Sequence, residues 1–135
     1  MKKSFTLIEL LIVLAVIAAL IAAIVPTGIY AIKKAKATTV ALNLSEISQA
    51  VIQEFYLSHN DSITINDIKP YFSTGESKIL KNYAVKTVMG ATVDHVYIWY
   101  NGTDVNASMV NKIFSPVVST GDNKPMLIMT VKKYW

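Results

Sequence analysis

The chain contains no cysteine and no arginine. Without cysteine neither a disulfide framework nor a thiolate metal site can form, so any folded part is held by packing and hydrogen bonds. Without arginine all thirteen basic residues are lysines. These are hydrated point charges that lack the planar fork suited to bidentate phosphate recognition, and composition therefore lends nucleic-acid binding little support. Histidine occurs only at His59 and His95, far apart and without clustered acids, so solvated or partly packed rings are expected rather than a metal or catalytic site. No nucleophile, base and orienting group stand together, which points to a non-enzymatic protein. Charge is sparse as well: 16% of residues are charged and 53% hydrophobic, with mean hydropathy +0.40 and net charge +4.

What the chain does have is one long apolar run over residues 5–25, and a single carboxylate, Glu9, inside it. As helix the run spans about 31 Å, which matches the hydrocarbon core of a bilayer. An acid in such a run is costly unless it faces a partner, so Glu9 is expected to await a positive charge. Ahead of the run stands Met1-Lys2-Lys3-Ser4, a short basic leader, and the run is too long for a secretory signal and continues into more helix. Lys33, Lys34 and Lys36 follow the run and nearly balance Lys2 and Lys3, so charge alone does not orient the span. Ala15, Ala19 and Ala23 recur every fourth residue, with Ala18 and Ala22 beside them, a spacing that lets helices approach closely.

The string Lys3-Ser-Phe-Thr-Leu-Ile-Glu-Leu-Leu-Ile-Val13 resembles the leader and N-terminal segment of bacterial type IV prepilins and type II secretion pseudopilins. The resemblance covers about the first 26 residues. It implies a prepilin peptidase cut between Ser4 and Phe5 on the cytoplasmic side and methylation of the new Phe5 amine. It also implies that Glu9 pairs with the N-terminal amine of a neighbouring subunit, an attraction strengthened in a low-dielectric bundle although both charges lose hydration. The family usually carries glycine before the cut, and here Ser4 stands there instead. Pro26, with Gly28 after it, sits where pilins carry a helix-perturbing proline, and filaments of the family often lose helicity over residues 18–26.

The function implied is that of a structural subunit of a type IV pilus-like filament, inserted as a single-pass inner-membrane precursor with its N-terminus inside. After cleavage and methylation it would polymerise, alone or with other pilins, into a periplasmic or cell-surface fibre. Alternatives are a pseudopilin of type II secretion and a competence or adhesion minor pilin that binds DNA or surfaces. A membrane platform protein and an assembly ATPase are implied by the resemblance, and the lipid bilayer is the partner before assembly.

The expected organisation is a leader over 1–4, an apolar transmembrane and polymerisation helix over 5–32, and a soluble domain over 33–135. In that domain Val40, Leu44, Ile47, Val51 and Phe55 form an amphipathic stripe on a helix over 33–58, and Ser58-His59-Asn60-Asp61 supplies the stop. Asn66 is a candidate cap for a short helical turn, with Tyr71 and Phe72 as core contacts. Strands are expected over 83–88, 93–100 and 126–133, and Asn101-Gly102 reads as a hairpin turn. Residues 107–114 fit strand or helix equally. The fold class is therefore α+β, a long N-terminal helix packed on a small antiparallel sheet.

Candidate sites in the domain are few. The turn Ser119-Thr-Gly-Asp-Asn123 resembles the calcium loop of major pseudopilins, which would make Asp122 a calcium candidate with Asp104 or Asp94 as further oxygen donors. An ordinary turn without metal is the simpler reading. His95, Tyr97 and Trp99 share one face of their strand, for core or subunit packing or for stacking on single-stranded nucleic acid. Lys132 and Lys133 form the basic pair on which a DNA-binding reading would rest.

Overall fold

The computed structural model describes residues 4–73 and 76–134, so Met1–Lys3 of the expected leader lie outside the described residues. Helix α1 (Leu7–Ser58) is followed by a 3-10 helix (Lys69–Tyr71) and a second one (Glu76–Asn82). The chain then forms β1 (Tyr83–Val88), β2 (Val93–Tyr100), α2 (Ala107–Asn111), β3 (Val117–Ser119) and β4 (Pro125–Lys132). It divides into two compact units, Met1–Lys34 and Ala35–Trp135, with α1 contributing to both.

From Ala35 onward α1 is amphipathic, and Val40, Leu44, Ile47, Val51 and Phe55 are all buried as their spacing predicts. They pack in one core with Ile63, Ile68, Leu80 and the inward residues Val96, Ile98, Tyr100, Leu127 and Val131 of the sheet. The helix stops where its chemistry changes. His59 takes a left-handed φ of 52°, a conformation that ends helices and that His tolerates better than branched residues. The Ser58 hydroxyl accepts from the Asn60 N–H at 3.3 Å while donating to the Glu54 carbonyl.

The sheet is antiparallel throughout with order β1-β2-β4-β3. β1 and β2 match the expected strands, while β4 begins one residue earlier, at Pro125, and ends at Lys132. Proline fits there because the first residue of a strand need not donate to the ladder. The ambiguous stretch resolves as helix α2, whose N-cap Asn106 accepts the Met109 N–H at 3.1 Å through its side chain.

Three local expectations are corrected. Asn101-Gly102 does not turn a hairpin: β2 leaves toward α2, and the hairpin lies between β1 and β2 at Gly90. A Cβ at Gly90 would run into the Val93 carbonyl, and one at Gly102 would collide with the Tyr100 ring, so both glycines answer close approach. Asn66 does not cap a helix; Ile68 precedes the 3-10 helix without a side-chain cap, and Asp67 instead accepts from the Thr64 N–H at 2.8 Å and hydroxyl at 2.7 Å. Phe72 packs against the core, whereas Tyr71 is exposed and donates to Glu54.

Candidate functional site

The N-terminal segment is built around a reciprocal helix cap. Thr6 precedes the first helical residue, and its N–H and hydroxyl both donate to Glu9 Oε2 at 2.8 Å. In return the Glu9 N–H donates to the Thr6 hydroxyl at 3.3 Å. This is a capping box, which satisfies donors that the first turn leaves without partners, and it places an acid at the positive end of the helix dipole. The signal was visible as Thr6-Leu7-Ile8-Glu9, and reading Glu9 only as an isolated charge passed over it. Among the described residues Oε1 of Glu9 accepts no hydrogen bond, so one oxygen stays available to a cation while the other caps. Phe5, just before the cap, is 84% exposed.

From Leu10 to Val25 the helix is apolar on every side, and none of the membrane-length window is buried by the protein. Ala15, Ala19 and Ala23 lie on one helical face and are exposed, as are the leucines and isoleucines around them. Side chains of this kind, uncovered by their own chain, are suited to lipid or to other helices. The expected perturbation at Pro26 and Gly28 is not a break here: α1 runs on through both. Proline still removes one N–H from the ladder, leaving the Ala22 carbonyl without its usual donor. One turn on, the Thr27 hydroxyl donates to the Ile24 carbonyl at 2.7 Å.

In the domain, the acids suggested for calcium are not brought together. Asp122 is exposed in the turn before β4. Asp104 instead accepts from the Tyr100 hydroxyl at 2.7 Å and from Lys36 at 3.1 Å, ties that hold its carboxyl below the usual carboxylate range. Asp94 is fully buried and takes the Gly90 N–H at 2.8 Å. Among the described residues no group of three or more His, Asp and Glu side chains could hold a metal ion.

The basic pair at the end of β4 is also split. Lys132 is exposed, but Lys133 sits between Asp61 at 2.8 Å, the Gly90 carbonyl at 3.2 Å and Asp94 at 3.3 Å. The Asp61 bond, with help from Asp94, raises the Lys133 pKa above its ordinary value. Lys133 therefore clasps the end of β4 to the β1–β2 turn and to the segment after α1. Nothing in the sequence distinguished it from Lys132.

Comparison with known families bears on this N-terminal segment: residues 1–25 match the model of the prokaryotic N-terminal methylation motif. That motif is the signal of type IV pilin and pseudopilin precursors, a structural rather than enzymatic class. The helix-on-sheet fold is pilin-like, and motif and apolar helix together fit an inner-membrane precursor. No curated protein and no solved structure matches the chain.

Proposed function

We propose that the chain is the precursor of a type IV pilin-like filament subunit that is cut between Ser4 and Phe5, N-methylated at Phe5 and polymerised through α1. The observation that carries this reading is the methylation motif over residues 1–25 at the head of a helix that is uncovered up to Lys36 and buries its own core only from Ala37. The uncovered part holds the chain in the bilayer as a single-pass precursor and, once extracted, buries its apolar surface against other copies or other pilins. Glu9 then offers the oxygen not engaged by Thr6 to the Phe5 amine of a neighbour and fixes axial register. Ala15, Ala19 and Ala23 let the helices approach. Prepilin peptidase performs the cut, with serine as the small residue before it, and an assembly ATPase and platform protein drive extraction. The chain performs no catalysis of its own.

The absence of cysteine makes this reading directly testable. An Ala19→Cys variant oxidised in cells that carry the assembly machinery should give a disulfide-linked dimer only where two α1 helices pack at this position, and its appearance should depend on the peptidase. Monomer alone, or dimer regardless of the peptidase, contradicts polymerisation through this face.

A further inference from the structure

The sheet has a second face that the core does not use. By strand alternation and register its outward rows are Ala84, Trp99, Met126 and Val118, then Lys86, Tyr97 and Ile128, then Val88, His95 and Thr130. Solvent-facing sheet faces are ordinarily polar, but here Val88, Val118 and Ile128 are 45%, 41% and 42% exposed around two half-buried aromatic rings. The Trp99 indole N–H donates to Asn101 Oδ1 at 3.0 Å, which holds that ring near the end of β2.

Charge on this face has one sign. Lys86 stands opposite Tyr97, and Lys132 extends the outward row of β4; both are exposed, and among the described residues neither makes an ion pair. The four strands hold a single carboxylate, Asp94, and it is buried on the other side. Rings on alternate residues of one strand stand about 6.8 Å apart. Aromatic platforms flanked by cations and free of acids bind single-stranded nucleic acid by stacking, without base-edge recognition. Lack of arginine removes bidentate phosphate clamps but leaves stacking untouched. A lipid surface needs no ordered rings, and a duplex offers its base faces to none.

We propose that this face binds single-stranded nucleic acid, with Tyr97 and Trp99 as stacking platforms and Lys86 and Lys132 as phosphate contacts. The proposal is independent of filament assembly. It is tested with the full chain in zwitterionic nanodiscs, by fluorescence anisotropy of labelled oligothymidylate. Binding should weaken as salt rises and should be tighter for the single strand than for a duplex of equal length. Tyr97→Ala and Trp99→Ala should each weaken it at least about five-fold, the lower end of base–aromatic stacking. Lys86→Glu, at an exposed position, should weaken it without lowering the melting temperature, which keeps the test intact if Trp99→Ala fails to fold. No binding at low salt, equal affinity for duplex, or indifference to Tyr97→Ala and Lys86→Glu overturns the proposal.

Discussion

Glu9 caps its own helix, and under the proposed function it also offers charge to another chain; substitution separates the two. Glutamine at this position can still reach back to the Thr6 N–H but carries no charge. Glu9→Gln should therefore keep the start of α1 and lose filament yield in sheared fractions as completely as Glu9→Ala. Assembly by Glu9→Gln at the parental level would show that the cap, not the charge, is what the filament requires. Thr6→Ala makes the converse test, removing a cap worth about 0.5–2 kcal/mol of local helix stability while leaving the charge. Lys36 and Lys133, both paired with aspartate, differ in the same residue-level way. Lys36–Asp104 is exposed on both sides and belongs with surface pairs worth about 0–1 kcal/mol. Removing Lys133 instead strands fully buried Asp94, whose Oδ2 has no hydrogen-bond partner among the described residues, and uncompensated buried charge is strongly destabilising. Lys133→Met should lower the urea midpoint clearly more than Lys36→Met; equal effects would show that the clasp is not a support. Little of this was legible beforehand, because a lysine's neighbours are set by tertiary placement and not by its place in a Lys-Lys pair.

Among the elements, the second part of α1 was legible because a period near 3.6 and burial coincide. Phe55→Ala, at a fully buried position, should cost about 3–5 kcal/mol in chemical denaturation, whereas Leu57→Ala, at 72% exposure, should stay within about 0.5 kcal/mol. Similar costs at both positions would contradict the assigned face. β1 and β2 were readable from β-branched and aromatic runs, but β3 was not, since three residues pairing only with β4 carry no period. The hairpin was misplaced because Asn101-Gly102 has the stronger turn chemistry, while the constraint at Gly90 is a backbone clash visible only in three dimensions. The packing of sheet on helix also predicts a pH response. Burial pushes the Tyr83 phenol up to about 12 and raises Tyr100 as well, with the Asp104 hydrogen bond adding to burial. Between pH about 10 and about 12 the unfolded chain loses protons that the folded chain keeps, so stability falls as pH rises. Lys133, raised in the folded state, supports folding below its ordinary value and loses that support as pH climbs through its folded one. Melting temperature should drop through this alkaline window, and Tyr83→Phe should reduce the drop; a flat profile would contradict the buried phenols.

For the molecule as a whole, an apolar segment and a domain able to bury a core were expected from the sequence, and the structure groups the chain into two compact units that meet at Lys34 and Ala35. The absence of cysteine leaves the domain to packing and to the Lys133 clasp. Asp122 carries no comparable burden, so Asp122→Ala and a chelator should both leave the melting temperature unchanged. A calcium-dependent rise that Asp122→Ala removes would instead favour the secretion pseudopilin over the pilus subunit. The central claim, that this is a processed filament precursor, is tested most directly by intact and N-terminal peptide mass spectrometry on protein recovered from cells with their native peptidase. The account predicts a chain that begins at Phe5 and carries one added methyl group. A chain that retains Met1–Ser4, or is cut elsewhere, would contradict it and leave α1 as a static membrane anchor.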